Sequence, residues 1–291
     1  MWSTLLAVAI AVDPYLLKIG TPGTVQSVPN QIVETRSGRV VGIEAVAAAA
    51  DGMQYVYLAE SHNNPDHHVM QAAAIEALVA RGRNVIVGME MFTRPVQEQL
   101  NPWTLGWWDE ATFIEQSDWK KQWGFDYNLY KPIFDSVRKH RLPLVALNVP
   151  RDWVRAVGRG GFAALTAEQK KELPDDLYLG NTNHKQVFEG LMGGHPMTGT
   201  QGENIYAAQV LWDEGMADTA LKVMADKGGS PNTVMVIVAG SGHVMYEQGI
   251  NYRIKRRTGA DGITLMMIDG TEARPVTRGI GQFIYMAKPG S

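Results

Sequence analysis

The chain has 291 residues, 45% hydrophobic and 20% charged, which suits a packed core and argues against a disordered chain. A formal net charge of -3 leaves no broad basic face, so general nucleic-acid binding is not expected. The absence of cysteine excludes disulfides, zinc–thiolate sites, thiol nucleophiles and thiol-linked lipid anchors.

Residues 1–12 are apolar, with small side chains at Ala7, Ala9 and Ala11; they look like the core of a secretion signal but lack a basic leader. Three readings stay open for them: a trimmed signal remnant, a first strand or a first helix. The compartment follows the same choice, extracytoplasmic (bacterial envelope or periplasm) with a signal and cytoplasmic without one. No segment reaches the roughly 18–20 continuous apolar residues that span a bilayer, so any envelope association is peripheral. Pro14, Gly20, Pro22, Gly23 and Pro29 mark residues 13–31 as an extended arm or linker. Residues 1–30 are accordingly read as an arm, and residues 31–291 as one α/β domain.

Residues 31–42 read as a hairpin turning at Ser37-Gly38, and residues 43–50 as a short alanine-rich helix. Five apolar runs then read as buried strands: 55–59, 85–89, 144–147, 234–239 (the strongest) and 263–268. A helix after the first run is signalled by Asn64 as cap, Pro65 in its first turn and Asp66 at the positive end of the dipole, with Gly82 as its stop. Alternating strands and helices predict an α/β fold with a mostly parallel central sheet flanked by helices. Helical insertions at about 93–140 and 162–227 are expected to form a smaller lobe, with Gly193-Gly194 and residues 199–202 as loop breaks.

Polar residues follow each strand run: Glu60, Ser61 and His62 after the first, Glu90 after the second, Asn148 and Arg151 after the third, and Gly240, Ser241, Gly242 and His243 after the fourth. Parallel strands place these ends on one edge, where ligands of open α/β sheets bind. Glu60, His62, Glu90 and His243 are therefore candidate catalytic residues. Glu60, His62 and His243 are also candidate ligands for a divalent metal. Arg151 suits a carboxylate or phosphate. Each carboxylate has a plainer reading as a helix cap or a partner for arginine. His67 and His68 are adjacent on a helix, so at most one faces the pocket, and they read as surface or packing residues with one available to support Glu60. His140 is expected to be solvated and His184 exposed, while His195, between Gly194 and Pro196, is a loop candidate for ligand contact. Trp103, Trp107, Trp108, Trp119 and Trp123 read first as an aromatic lobe core and second as an apolar wall for a flat ligand or a dimer face. Tyr127 and Tyr130 could supply a phenolate to iron.

Six segments in order resemble the ChaN-like haem-binding uptake family: Ala59-Glu60-Ser61-His62 with His67-His68, Glu90-Met91, Tyr130-Lys131-Pro132, Asn148-Val149-Pro150-Arg151, Gln209 with Met216-Ala217, and Gly240-Ser241-Gly242-His243. The similarity covers roughly residues 50–255, most of the chain. Ala59 stands where the family usually has Gly, and His195-Pro196-Met197 lacks the cysteine that often follows the family's later His. The resemblance implies a large α/β lobe with a smaller helical lobe, haem bound through a tyrosine, and homodimers that stack two haems. Tyr130 is the first choice for that tyrosine and Tyr127 the second. Trp107, Trp108, Asn148, Arg151 and His195 are the other expected cofactor contacts. The wider superfamily of Tiki, TraB and erythromycin-esterase proteins shares the Glu and His elements and includes hydrolases, some metal-dependent. Haem binding is thus the first functional reading. A hydrolase with a His62 or His243 base, or with a divalent metal, is the alternative.

Overall fold

The computed structural model describes residues 12–290, so the readings made for the apolar start lie, apart from Val12, outside the described residues. Strands β1 (Thr24–Ser27), β2 (Ile32–Glu34) and β3 (Val40–Val41) lead into helix α1 (Ile43–Ala49), strand β4 (Tyr55–Glu60) and helix α2 (Pro65–Ala80). Strand β5 (Asn84–Thr93) is separated from β6 (Leu144–Asn148) by α3 (Gln97–Thr104), α4 (Glu110–Gln116), α5 (Trp119–Gln122) and α6 (Tyr127–His140). Between β6 and β7 (Thr233–Gly240) lie α7 (Arg151–Gly160), α8 (Ala167–Lys171), α9 (Thr182–Leu191) and α10 (Gly199–Lys227). Helix α11 (Ile250–Thr258) and strands β8 (Gly262–Asp269), β9 (Arg274–Thr277) and β10 (Phe283–Ala287) complete the order.

Eight strands form one sheet in the order β3-β2-β10-β8-β4-β7-β5-β6, mostly parallel as expected. The six from β10 to β6 run the same way, and β2 runs antiparallel to both β10 and β3. Strands β1, β9 and β10 add to those the apolar runs predict. β7 is buried along its whole length. Its Val234, Val236 and Val238 join the core beneath α2 and α6, while Met235, Ile237 and Ala239 join the opposite core beneath α10 and α11. A strand covered on both faces has no need to alternate, which is why it reads as a continuous apolar run.

Asn64 caps α2, its side-chain oxygen accepting the Asp66 N–H at 3.0 Å. Gly202, expected in a loop, lies inside α10. The reason is space rather than backbone freedom: a Cβ there would come within 2.8 Å of the Met197 carbonyl carbon. The 29 residues of α10 run past the carboxyl edge of the sheet and bring a second set of polar side chains to it. Among the described residues no helix is long and apolar enough to cross a membrane.

Candidate functional site at the strand ends

Strand register assembles the site. Glu60 lies opposite Gly240 in the β4–β7 pair, and Met89 opposite Val238 in the β5–β7 pair, so Glu90 reaches the same rim. A cleft of about 900 Å³ opens there, lined by His62, Glu90, Asn148, Arg151 and His243. Its apolar walls include Trp123, Phe125, Phe188, Met192 and Trp212.

Glu60 sits behind His62, fully buried. One carboxylate oxygen is 2.7 Å from His62 Nδ1 and accepts the Tyr130 hydroxyl at 2.7 Å. The other is 3.2 Å from His68 Nδ1 and accepts Gln71 Nε2–H at 3.2 Å. Burial alone would raise the carboxyl pKa, but the hydrogen bonds from His62 and His68 win and hold it well below the usual range. The His62 imidazole is pulled down by burial and up, by more, by its bond to Glu60 and the charge of Glu90. Its ring packs against Trp123 at 4.7 Å and Phe125 at 5.5 Å between centroids. Nδ1 is committed to Glu60, which leaves Nε2 as the nitrogen available to the cleft.

His243 is held by two carboxylates. Its Nδ1–H donates to Asp213 at 2.5 Å, and its Nε2 is 3.3 Å from Glu90. Burial lowers the pKa, yet the charges of Glu90 and Asp213 outweigh it and push the imidazole up to about 10. It is therefore an imidazolium at neutral pH. Glu90 also accepts the Gly240 N–H at 2.7 Å, and its own pKa, raised by burial, is brought down further by His243. Asp213 in turn meets His184 at 2.8 Å and Arg253 at 3.4 Å. Against its burial, Arg253, His243 and His184 keep Asp213 ionised.

Glycine is required at position 240. A Cβ there would stand 2.6 Å from His62 Cε1 and 3.2 Å from Nε2. Gly240→Ala is expected to turn His62 off Glu60 and to cost roughly 1–3 kcal/mol of stability by overpacking, read from chemical denaturation. Unchanged stability together with unchanged ligand affinity would contradict this packing.

His62, Glu90, Asn148, Arg151 and His243 thus converge as the strand order predicts. Glu60 stands directly behind His62. The other expected contacts do not reach the cleft. Tyr130 is fully buried, its hydroxyl enclosed by Glu60 and by Trp123, whose Nε1–H donates to it at 2.9 Å. Burial and the adjacent Glu60 charge raise its pKa far above that of an ordinary phenol. Tyr127 is buried in the helical lobe, stacked on Phe134 at 5.1 Å. Trp107 is 74% exposed, Trp108 packs partly on the lobe core, and His195 is exposed on its loop. Among the described residues no group of three or more His, Cys, Asp or Glu side chains is arranged to hold a metal. The set Glu60, His62 and His243 is not assembled, because Glu60 is spent on two imidazoles and His243 is held protonated between two carboxylates.

Of the two alternatives for His67 and His68, packing is the one found: both are fully buried, and His68 is the one that supports Glu60. His184, expected to be exposed, is buried against Asp213 and Tyr206. Asp213 was not singled out at all. Helical spacing carried a signal: His68, Gln71, Ile75 and Leu78 share the buried stripe of α2, as Gln209, Asp213, Met216 and Ala220 share that of α10.

A parallel α/β sheet with an aromatic cleft and two carboxylate-held imidazoles at its carboxyl edge defines a strand-end ligand-binding protein. The family model described as "Haem-binding uptake, Tiki superfamily, ChaN" matches residues 46–254, and the chain belongs to this family. Among solved structures it is similar to "Cofacial heme binding to ChaN of Campylobacter jejuni", at 17% identity and a TM-score of 0.67, covering 87% of this chain and 95% of that one. An erythromycin esterase, EreC in its open conformation, aligns at 12% identity and a TM-score of 0.48, over 84% of this chain and 77% of that one. No curated protein gives a significant sequence match.

Proposed function

We propose that the protein serves haem uptake or handling and holds haem in the strand-end cleft. The observation that carries this reading is an aromatic-walled cleft of about 900 Å³ in a member of the haem-binding uptake family, with a carboxylate-oriented imidazole at its edge. The donor chemistry fits. His62 would hold the iron through Nε2, while Glu60 fixes its tautomer and raises its basicity, as carboxylates behind metal-binding histidines do. Trp123, Phe125, Phe188 and Trp212 offer apolar faces that exclude water from a flat ligand. Two buried polar atoms of cleft residues, Asn148 Oδ1 and Trp212 Nε1, have no partner among the described residues and are available to a ligand or to water. Haem, when bound, supplies the iron centre. Exposed Phe125, Met192 and Ile205 at the mouth suit a homodimer that closes two clefts on each other, and peripheral envelope placement belongs to the same reading. Titration with hemin is expected to shift and sharpen the Soret band at one equivalent per chain. A spectrum that stays that of free hemin at saturation ends the proposal.

A second reading rests on a separate observation, the two imidazole–carboxylate pairs of unlike character. His62, with Nδ1 on Glu60, would act as the base that takes a proton from water attacking an acyl carbon. The His243 imidazolium would give a proton to the departing oxygen. This is ester or amide hydrolysis without a metal. Glu60→Gln and His243→Gln are each expected to lower turnover of an ester panel by about 10²-fold or more. A parent protein that turns over none of the panel removes this reading.

A further inference from the structure

Arg151 and Arg155 lie one turn apart on α7 and both line the cleft. Arg94, Arg253 and Arg257 are each paired with a buried or half-buried carboxylate. Arg151 and Arg155, by contrast, have no ion-pair partner among the described residues. The Arg151 guanidinium lies 5.5 Å from the centre of the Trp123 ring, which fixes it at the aromatic wall. It is half-buried, and burial lowers its pKa; the charge of Glu90 opposes that effect and the charge of Arg155 adds to it. One side of an apolar cleft thus carries two cations that repel each other and that form no ion pair among the described residues. His243, also cationic, is already matched by Glu90 and Asp213.

We propose that Arg151 and Arg155 form an anion subsite, so that the cleft takes ligands with an apolar body and a carboxylate or similar anion at one end. One turn apart and both lining the cleft, the two side chains can reach the same ligand end, and guanidinium is the cation that binds planar carboxylates in two-pronged fashion. Such a ligand lies with its anion on α7, its body along Trp123 and Phe125, and its far part toward His62. Porphyrin propionates meet this description, and only the naming of that occupant rests on the haem reading.

The test uses two pairs of probes that differ in charge alone. Hemin and its dimethyl ester, in the same detergent, are titrated by absorbance. Anilinonaphthalene sulfonate and the uncharged N-phenylnaphthylamine are titrated by fluorescence. The parent is expected to favour the anionic member of each pair, with roughly tenfold of that preference lost for each guanidinium removed in Arg151→Gln and Arg155→Gln. Affinity for the uncharged members should hold, which also shows that the variants fold. Equal binding of charged and uncharged probes by the parent overturns the subsite, as does a double variant that keeps the full preference. If neither porphyrin binds while the fluorescent pair is still discriminated through the arginines, the haem reading fails and the subsite stands.

Discussion

Asp213→Asn is expected to destabilise the protein by roughly 3–5 kcal/mol, since it strands a buried imidazolium and a buried guanidinium without their shared counter-charge. The parent should carry the signature of the same network in its pH profile. His243 has a folded pKa of about 10 against about 6.5 for an unfolded histidine. A base whose pKa is raised by folding contributes stability that is complete below the unfolded value and is lost as pH rises through the folded one. That loss therefore falls between about pH 6.5 and 10. His62 and His68, also raised, act in the same direction. Glu60, Glu90 and Asp213 have depressed pKa values, so their contribution is present above about pH 4 and is lost in acid. His184, kept neutral by burial, contributes in the opposite sense to His243 and weakens the fold as pH drops below about 6.5. Denaturant midpoints taken across pH should thus peak in mildly acidic buffer and decline toward pH 10, with the alkaline limb flattened in Asp213→Asn. A parent profile that is level from pH 6.5 to 10 would show that His243 is not held as an imidazolium.

Removing His62 is expected to have the largest effect on haem binding. His62→Ala deletes the cleft imidazole whose second nitrogen is already fixed by Glu60, so hemin affinity should fall by tenfold or more and the Soret band should revert toward that of free hemin. Glu60→Gln should weaken binding less, because the ring remains while its orientation and basicity suffer. Tyr130→Phe should leave the spectrum unchanged. Its hydroxyl is enclosed behind His62, so the variant loses the buried hydrogen bonds to Glu60 and from Trp123, about 1–3 kcal/mol of stability. Affinity should also drop in acid, as protons compete for the His62 nitrogen whose pKa is raised. A charge-transfer band typical of phenolate ligation that disappears in Tyr130→Phe would reverse the assignment and require the tyrosine to move.

Much of the architecture is written locally. The run from Val234 to Ala239 has the composition of a strand buried on both faces, and Asn64-Pro65-Asp66 has that of a helix start; both do in the fold what such residues do anywhere. Because strands of one direction end on one edge, the arrival of Glu60, His62, Glu90, Asn148 and His243 at one rim follows from their shared strand direction, before any side chain is placed.

Which polar side chains meet inside that edge is another matter. Tyr130 and His62 are both near Glu60, yet one is sealed beneath it and the other opens to the cleft, since α6 packs against α2 and α5 brings Trp123 over its hydroxyl. His184 and Asp213 form a buried charge network with His243 because α9 and α10 dock together, each turning one position of its stripe toward a partner remote in the chain, while His68 turns inward on α2 to Glu60. Trp107 and His195, which composition and loop context made attractive, ended in solvent. Strand and helix identity, and the strand–helix alternation that makes strands parallel, depend on neighbours along the chain and can be read there, whereas the sheet order, with β4 between β7 and β8, is set by long-range pairing. The burial and charge state of an individual side chain depend on what packs over it, and that is set by long-range contacts.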